Sequence, residues 1–499
     1  MKDGPIVEPT IEGLIAKVAA YDAHADLDLI RLAYDFAANA HRGQVRKSGE
    51  PYINHPLATA HILANLRIDQ AIVIAALLHD VPEDTNISLD EISKNFGSDV
   101  SSMVKGITKL GKLKYRGVER YIENLRKMFV AMAEDVRVMI IKFADRIHNL
   151  TTLEALPPQK RYRIALESLE IYAPIAGRLG MDEFKGQLED LSFKYVYPKE
   201  FQRIKQIRDE KLSGKEELVR NIQDTVRLEL EAVNIPIISI YGRRKRLYSF
   251  YQKLLHKKNE LAKIYDLMAL RIIVPTIADC YATIGILHKI WKPLKGRIKD
   301  YISQPKPNGY QSLHTTVFVE SGDIVEFQIR TIEMHEEAEF GVAAHWHYDE
   351  YGGKRPEKEI KWVKELANIQ KEVLNKLSDL EEIKVDFLQS RIFVFTPKGD
   401  VIDLPEGATP IDFAYHIHTD VGDHCNSALV NDQIVSLDTE LKNGDVVEVR
   451  TDKNRKGPGR DWLKSVKTQT AKAHIKNYLR EQEENAVTSW FKNVIKKKN

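Results

Sequence analysis

The chain has 499 residues, of which 43% are hydrophobic and 29% charged, and its formal net charge is +2. This is the composition of ordinary globular protein, and at ~150 residues per domain the length allows about three domains. No apolar run approaches the ~20 residues of a membrane helix, and the N-terminus lacks a hydrophobic signal segment, so we expect a cytoplasmic protein without a membrane partner. The only cysteines, Cys280 and Cys425, exclude a disulfide framework and a cysteine-based zinc site.

The first two predicted domains differ in their apolar periodicity. Residues 1–198 have apolar side chains at helical spacing, as in Ala71–Leu78, and few alternating runs, which predicts an all-α domain. Residues 199–353 alternate β-rich runs such as Ile324–Arg330 with helical patterns such as Ile277–Ile290. This second pattern predicts an α/β domain.

The remainder of the chain is predicted to contain a linker, a small domain and a tail. Residues 354–390 are charged and helical in pattern and form the linker, and residues 391–451 combine strands such as Arg391–Phe395 with a short helix, Pro410–His418. The tail, residues 452–499, carries 13 lysines and arginines against 5 acidic residues. A basic helical tail of this kind can contact RNA or another anionic surface, or be only a solvated helix face.

A first candidate site follows the apolar helix. His79 and Asp80 end that helix, where burial without partners costs ~1–3 kcal/mol for each polar group. Imidazole and carboxylate ligands suit a divalent ion such as Mn²⁺, Fe²⁺ or Zn²⁺, and such an ion lowers the pKa of a bound water. Glu83 and Asp84 follow closely enough to orient or deprotonate that water. A His-Asp pair at a helix end is also the pattern of a cap or an ion pair, and these residues alone leave both interpretations open.

Three segments give the first domain a family resemblance. The runs His41–His55, Leu77–Thr85 and Ile141–Asn149 closely resemble the hydrolase domain of RelA/SpoT homologues, the enzymes of the alarmone (p)ppGpp. The resemblance implies an HD-type metal hydrolase that removes the 3′-pyrophosphate. By this resemblance, the Mn²⁺ ligands are His55, His79, Asp80 and Asp145. The attacking water is served by Glu83 and Asp84. The guanine nucleotide is faced by Arg46, Lys47, Asn149 and Thr152.

The sequence departs from this resemblance at two positions. Pro82 stands where the family commonly has an aliphatic residue, and it ends or kinks a helix or begins a new turn. Thr151 stands where the family often has arginine, so a cation near the nucleotide is missing. Neither change removes a predicted metal ligand.

A second candidate site lies in the α/β domain. Basic residues cluster after the first β-run and again around residues 295–314, and Tyr310 lies on a Gly/Pro-punctuated loop where its ring can stack on a base. Along Val325–Arg330, Glu326 and Gln328 share one face of the strand while apolar residues share the other. Cations, carboxylates and a general base are what phosphoryl transfer requires. A sheet with one solvated face would give the same strand pattern.

The second domain also resembles RelA/SpoT homologues. Lys306–Thr316 and Val325–Thr331 are similar to the hallmark segments of the synthetase, whose fold is nucleotidyltransferase-like, and Arg297–Asp300 resembles the version found in bifunctional members. The resemblance implies an ATP site, a Mg²⁺ site and a GDP/GTP site. The ATP site would comprise Arg243, Lys245, Ser249, Lys253 and Arg271. The Mg²⁺ site would comprise Asp266 and Glu326, and Glu326 would also be the base for the 3′-hydroxyl. The GDP/GTP site would comprise Lys299, Lys306, Asn308, Tyr310 and His314.

The small third domain resembles a TGS domain, a β-grasp module that senses the tRNA 3′ end on the ribosome in long family members. Pro397–Val401 and Leu404–His418 carry this resemblance, and His418 fits the tRNA contact position. A surface histidine in a spacer domain would give the same sequence. The zinc-finger-like and ACT modules of long members are not found after the tail, so we expect a short form.

Taken together, the resemblances predict a bifunctional enzyme. It would transfer pyrophosphate from ATP to the 3′-hydroxyl of GDP or GTP, and hydrolyse (p)ppGpp back to GDP or GTP and pyrophosphate. Two alternatives stay open: a synthetase whose hydrolase domain is impaired by Pro82 and Thr151, and a non-catalytic regulator that binds tRNA or the ribosome.

Overall fold

The structure, a computed structural model, forms two compact units, Met1–Glu372 and Val373–Asn499. Within the parts of the chain that it describes, no helix combines the length and the apolar character required to cross a membrane. The described residues are 9–111, 128, 131–132, 134–257, 260, 268–306, 309–346, 391–397, 401–442, 444–452, 454–455, 457–468 and 470–482.

The N-terminal part of the first unit is helical. Side-chain caps begin several of its helices; for example, Thr10 accepts a hydrogen bond from the Gly13 amide (3.1 Å), and Asp26 accepts one from the Leu29 amide (2.9 Å). Gly97, with a φ of 89°, interrupts the longest helix. The helices are α1 (Ile11–Ala19), α2 (Leu27–Ala40), α3 (Asn54–Ala64), α4 (Gln70–Leu78), α5 (Val81–Asp84), α6 (Leu89–Gly111), α7 (Arg137–Thr151), α8 (Pro158–Glu167), α9 (Ala173–Arg178) and α10 (Asp182–Val196).

Helix α4 lies at the centre of this helical domain. Every residue from Ile72 to Leu78 is buried, because the helix is apolar on all sides and can face only other protein. It packs against α2, α3, α6 and α7. Its carboxyl end therefore delivers the next residues of the chain into the domain interior.

The C-terminal part of the first unit is an α/β domain. Its mixed sheet has the strand order β1-β2-β6-β5-β3, with β4 also on β5; β2 and β6 are parallel and the other pairs antiparallel. Ile222, Val226 and Leu230 of a preceding helix complete its apolar core. The elements are α11 (Pro198–Leu212), α12 (Glu216–Glu231), β1 (Ser239–Arg244), α13 (Leu247–His256), β2 (Met268–Ile273), α14 (Ile277–Ile290), β3 (Lys292–Pro293), β4 (Lys299–Asp300), β5 (Leu313–Phe318), β6 (Ile324–Arg330) and α15 (Ile332–Phe340).

The register of the central strands collects polar side chains on one face of the sheet. Arg271 on β2 is paired with Gln328 on β6, which is paired with His314 on β5. Glu326 lies two residues from Gln328 and so shares that face, whereas Phe327 between them enters the apolar core.

The second unit contains the small strand-rich domain. Strands β9 and β10 were not expected from the sequence; they are joined at Asn431 and Asp432, both with positive φ (51° and 64°), as a type I′ hairpin turn requires. The elements are β7 (Arg391–Phe395), β8 (Val401–Pro405), α16 (Pro410–Ile417), α17 (Thr419–Asp423), β9 (Cys425–Val430), β10 (Gln433–Val435), β11 (Val447–Thr451) and α18 (Trp462–Ser465).

The described part of the tail packs against this domain through one buried carboxylate. Asp412 on α16 has no exposed surface. Its Oδ1 accepts hydrogen bonds from the amides of Lys467 (2.9 Å) and Thr468 (2.7 Å), and its Oδ2 accepts one from the Thr409 amide (2.8 Å). Trp462 joins the same apolar cluster as α16. The start of the tail is therefore part of the folded unit.

We predict that Asp412→Ala detaches this part of the tail. Several buried donors would lose their acceptor, and at ~1–3 kcal/mol for each we expect a local loss of about 3 kcal/mol or more. Hydrogen exchange of the amides in residues 462–475 should become faster by roughly two orders of magnitude. Asp438→Ala, at an exposed aspartate of the same unit, is the matched control and should leave this exchange unchanged. Slow exchange in the Asp412→Ala variant would contradict the docking role.

Candidate active sites

The first candidate site is a group of metal-binding side chains at the end of α4. His55 on α3, His79 and Asp80 offer ligand atoms that all lie within 4.8 Å of one another. His55 Nε2 is 3.6 Å from Asp80 Oδ2, and His79 Nε2 is 3.2 Å from Asp80 Oδ1. Both imidazoles are buried. The structure thus brings together three of the four predicted ligands.

The hydrogen bonds of His79 fit a bound cation. Its Nδ1 lies 2.7 Å from the Ala76 carbonyl oxygen, which can only accept, so this network assigns the imidazole proton to Nδ1. The buried Nε2 then carries a lone pair and makes no hydrogen bond among the described residues. A divalent metal ion is the natural partner for an unprotonated imidazole nitrogen beside a carboxylate. The donor set is therefore that of a divalent metal site.

Asp145, the fourth predicted ligand, lies on α7 beside His55. Its Oδ1 is 3.2 Å from His55 Nε2 and accepts a hydrogen bond from Asn149 (2.5 Å), while its Oδ2 is paired with Lys142 Nζ (2.6 Å). Burial would raise the pKa of the Asp145 carboxyl, but Lys142 and His55 outweigh it and hold this pKa well below its usual range. Asp145 is thus kept as a carboxylate next to the three-residue group.

The predicted water-handling carboxylates lie on a separate helical turn. Helix α4 does not continue through them; Pro82 lies in the first turn of α5, a position that does not need its missing N–H. Glu83 and Asp84 on this turn are exposed. The Tyr52 hydroxyl lies 2.6 Å from Asp84 Oδ2 and 3.0 Å from Asp80 Oδ2, so one hydroxyl links the metal group to Asp84.

The predicted nucleotide-binding residues are arranged around Arg46. Arg46 donates a hydrogen bond to Asn149 Oδ1 (2.6 Å), and its Nη1 is 3.2 Å from His148 Nδ1. Lys47 is exposed in the same loop. Thr152 follows α7, with its Oγ1 3.4 Å from the Asn149 carbonyl oxygen. The structure brings Arg46 and Asn149 together, with Thr152 next to Asn149, and it shows no side-chain contact of the exposed Lys47 with them among the described residues.

The second candidate site occupies the polar face of the sheet. His314 Nδ1 is 3.4 Å from Glu326 Oε1, and Gln328 donates a hydrogen bond to Glu326 Oε2 (3.4 Å). Arg271 donates to Gln328 (3.3 Å) and forms an ion pair with Glu339 on α15 (2.6 Å). The carboxylate and the guanidinium are thus connected through Gln328.

Aromatic and basic side chains lie together on the Nε2 side of the His314 ring. The Tyr310 hydroxyl is 2.8 Å from His314 Nε2, and Lys306 Nζ lies 4.6 Å from the centroid of the Tyr310 ring. Burial raises the pKa of Tyr310 and lowers that of Lys306. Lys299 is paired with His314 across β4 and β5. The structure thus gathers four of the five residues predicted to bind GDP or GTP, and Asn308 lies outside the described residues.

The predicted ATP residues border the same face. Arg243 on β1 is paired with Ala269 on β2. Burial lowers the pKa of Arg243, and the nearby Arg271 lowers it further, which fits two guanidinium groups on one face. Lys245 follows β1, and Ser249 and Lys253 lie one turn apart on α13. Asp266, the second predicted Mg²⁺ ligand, lies outside the described residues.

Sequence reasoning missed four residues of these sites. Tyr52, Lys142 and His148 lie inside the segments that carried the family resemblance, where they received no role. Glu339 lies on α15, beyond those segments. The spacing of Lys142 and His148 could have identified them. Each is three residues from Asp145 and therefore lies on the same side of α7 as Asp145.

Helix α10 connects the helical and α/β domains within the first unit. Glu183 forms an ion pair with Arg246 (2.6 Å), and Asp190 accepts a hydrogen bond from the Tyr248 amide at the start of α13 (2.9 Å). The approach is close, because a Cβ atom at Gly186 would lie 2.1 Å from Arg246 Nε. Helix α13, which carries Ser249 and Lys253 of the predicted ATP site, is therefore held by the helical domain.

Known families and proteins match nearly the whole chain. The HD domain family matches residues 33–182, the region found in RelA / SpoT proteins matches residues 242–353, and the TGS domain family matches residues 392–451. The guanosine-3′,5′-bis(diphosphate) 3′-pyrophosphohydrolase of Aquifex aeolicus is 45% identical over 489 residues, which cover 97% of this chain and 69% of that protein. The chain belongs to the RelA/SpoT family. The family and the fold classes predicted from the sequence are confirmed.

Other RelA/SpoT relatives carry names for two activities. The GTP pyrophosphokinase of Myxococcus xanthus is 44% identical over 93% of this chain and 62% of its own length. The bifunctional (p)ppGpp synthase/hydrolase SpoT of Escherichia coli is 42% identical over 94% of this chain and 67% of its own length. The chain therefore spans about three fifths to two thirds of these RelA/SpoT proteins.

We predict a pH-dependent contribution of Glu189 on α10. Burial raises the pKa of Glu189 to about 7, with Lys185 opposing and Asp190 reinforcing the shift. Because this pKa is raised by folding, the carboxyl destabilises the fold progressively as the pH rises from about 4.5 to about 7. Glu189→Gln should therefore stabilise the protein at pH 8.5, by up to about 3 kcal/mol, and have little effect at pH 5.

Thermal unfolding at pH 5 and pH 8.5 measures this difference. Glu183→Gln on the same helix is the matched control, and it should lower the melting temperature at pH 8.5 because it removes the ion pair with Arg246. An equal effect of Glu189→Gln at the two pH values would contradict a carboxyl that titrates near neutrality.

Proposed function

We propose that this RelA/SpoT chain both makes and destroys (p)ppGpp. One site transfers pyrophosphate from ATP to the 3′-hydroxyl of GDP or GTP. The other hydrolyses (p)ppGpp to GDP or GTP and pyrophosphate. The observation that carries the proposal is the coexistence in one chain of the His55–His79–Asp80 donor set and the Arg271–Gln328–Glu326–His314 polar row. The names of the relatives support both activities.

In the hydrolase site we propose Mn²⁺, held by His55, His79, Asp80 and Asp145. A bound divalent ion would act as a Lewis acid and lower the pKa of a coordinated water. His79 offers an unprotonated Nε2, and Lys142 keeps Asp145 ionised. These features prepare the donors to receive a cation.

The remaining hydrolase residues handle the proton and the substrate. Asp84 accepts a proton from the attacking water, assisted by Glu83, while Tyr52 fixes the Asp84 carboxylate beside Asp80. Arg46 and Lys47 neutralise the substrate phosphates, with Asn149 and Thr152 beside the nucleoside. The cleaved bond is that between the 3′-oxygen and the pyrophosphate, and the proton passes to the departing 3′-oxygen.

In the synthetase site we propose that Glu326 takes the proton of the 3′-hydroxyl, which attacks the β-phosphorus of ATP and displaces AMP. Glu326 and Asp266 would hold Mg²⁺, which neutralises phosphate charge. Arg243 and Arg271 bracket the adenine, and Lys245, Ser249 and Lys253 bind the ATP phosphates. Tyr310 and Asn308 bind the guanine, and Lys299, Lys306 and His314 bind the acceptor phosphates.

The two activities should be separable by substitution. Asp80→Ala removes a carboxylate of the donor set, so we expect hydrolysis of ppGpp to fall by roughly 10³-fold or more, with synthesis changed less than about threefold. Glu326→Gln should give the reverse pattern, because the amide cannot accept the proton. Anion-exchange chromatography of the full chain incubated with ppGpp and Mn²⁺, or with ATP, GDP and Mg²⁺, measures both.

Each variant serves as the control for the other in that experiment. Intact synthesis without hydrolysis by folded, metal-loaded wild type would favour a one-way synthetase, in which Pro82 and Thr151 impair the hydrolase. Loss of both activities in Asp80→Ala would contradict separate sites. Absence of both in wild type would favour a non-catalytic regulator.

We further propose that the TGS domain contacts the 3′ end of tRNA through His418, on the ribosome. His418 is exposed at the start of α17, where its Nδ1 accepts a hydrogen bond from the Asp420 amide (3.2 Å). An exposed imidazole held in this way can contact a nucleotide. Lysines and arginines of the adjoining tail add positive charge for the phosphates.

His418→Ala should weaken binding of deacylated tRNA about fivefold, the value of one hydrogen bond or stacking contact. Filter binding at constant salt measures this effect, and tRNA without its 3′-terminal nucleotides should bind wild type and variant equally. His24→Ala, at an exposed histidine of the other unit, is the control. Equal affinity of wild type for the intact and shortened tRNA would contradict recognition of the 3′ end.

A further inference from the structure

His148 on α7 contacts a metal ligand and a nucleotide-binding residue but has no role so far. Its Nδ1 lies 2.8 Å from His55 Nδ1 and 3.2 Å from Arg46 Nη1. The His55 and His148 rings are 5.0 Å apart at their centroids and tilted by 31°. This contact joins residues 93 positions apart in the sequence.

The direction of the His55–His148 hydrogen bond follows from the chemistry of the site. His55 Nε2 faces Asp80 and Asp145, where a cation requires a lone pair, so the His55 proton belongs on Nδ1. That proton can only be donated to the lone pair of His148 Nδ1. Arg46 has no acceptor and also directs a donor to this nitrogen. Both neighbours therefore require an unprotonated His148 Nδ1.

The same contacts close a ring of five side chains. Arg46 donates to Asn149, Asn149 donates to Asp145, and Asp145 lies against His55 Nε2. His55 and Arg46 then meet at His148. In such a ring the orientation of the His55 imidazole is fixed from both of its nitrogens.

We propose that His148 is a positioning residue that holds His55 in the tautomer and orientation required for the divalent ion. The inference rests on the proposed hydrolase function. Partners of this kind, which hydrogen-bond the second nitrogen of a ligating histidine, typically contribute 10- to 100-fold in metal affinity. In this role His148 acts through His55 and not on the ion or the substrate directly.

The test compares two amides at position 148. The side chain of His148→Asn carries its oxygen close to the position of Nδ1, whereas that of His148→Gln carries it closer to Nε2. We expect Mn²⁺ affinity within about threefold of wild type for His148→Asn, and about 10-fold weaker or more for His148→Gln and His148→Leu. Calorimetric titration of the metal-free full chain with Mn²⁺ measures these affinities.

Two controls separate positioning from general destabilisation. The melting temperature of each metal-free variant reports folding, and the Asn/Gln contrast keeps the test decisive if His148→Leu does not fold. His61→Leu on α3 removes a hydrogen bond to the Thr10 carbonyl (2.8 Å) and should leave the Mn²⁺ affinity unchanged.

The outcomes distinguish this inference from the proposed function. If the wild-type chain shows no Mn²⁺ binding that is lost in Asp80→Ala, the proposal of a metal hydrolase is itself overturned. If the wild type shows such binding, and folded His148→Asn and His148→Gln variants both bind Mn²⁺ with the wild-type affinity, only the positioning role is overturned. A metal affinity that is retained in His148→Asn and lost in His148→Gln supports the proposal.

Discussion

The carboxyl end of α4 is the constraint on which the helical domain depends. Because this helix is apolar on all sides, it must lie inside the domain, and His79 follows it into the buried interior with Asp80 partly exposed beside it. Polar groups there require partners. His79 satisfies its Nδ1 with a backbone carbonyl, and its Nε2 is left for a cation. His55 on α3 brings a second imidazole to this group, and the Asp145 carboxylate on α7 lies against that second imidazole.

The α/β domain meets a related constraint in a sheet. Strand alternation sends Phe327 into the apolar core and Gln328 to the opposite face, and helix α15 then covers part of that polar face. Arg330 is fully buried there, with its Nη2 3.3 Å from Glu339 and its Nε and Nη1 without hydrogen-bond partners among the described residues. In both domains, a regular apolar pattern places a few polar side chains in the interior, and these side chains form the candidate sites.

Much of this arrangement could be predicted because it is local. The helix Ile277–Ile290 has the bounds expected from its pattern, since Thr276 and Asp279 form a capping box at its start. Side-chain partners distant in sequence could not be predicted, because a single polar residue does not identify its partner; Tyr52 meets Asp84 32 residues away. The β9–β10 hairpin was missed because its turn contains no glycine.

A continuous path of contacts joins the two proposed sites. Helix α7, which carries Asp145, packs on α10, and α10 holds the start of α13 through Glu183–Arg246. Continuity alone is not coupling, which requires two alternative packings with different ligand affinities. The absence of a side chain at Gly186 leaves room for the Arg246 side chain that makes this ion pair. The Glu183–Arg246 ion pair is partly exposed, so it can exchange its partners for water without opening the apolar core. A change in the relative activity of the two sites would therefore proceed more readily through this ionic contact than through the buried apolar packing around it.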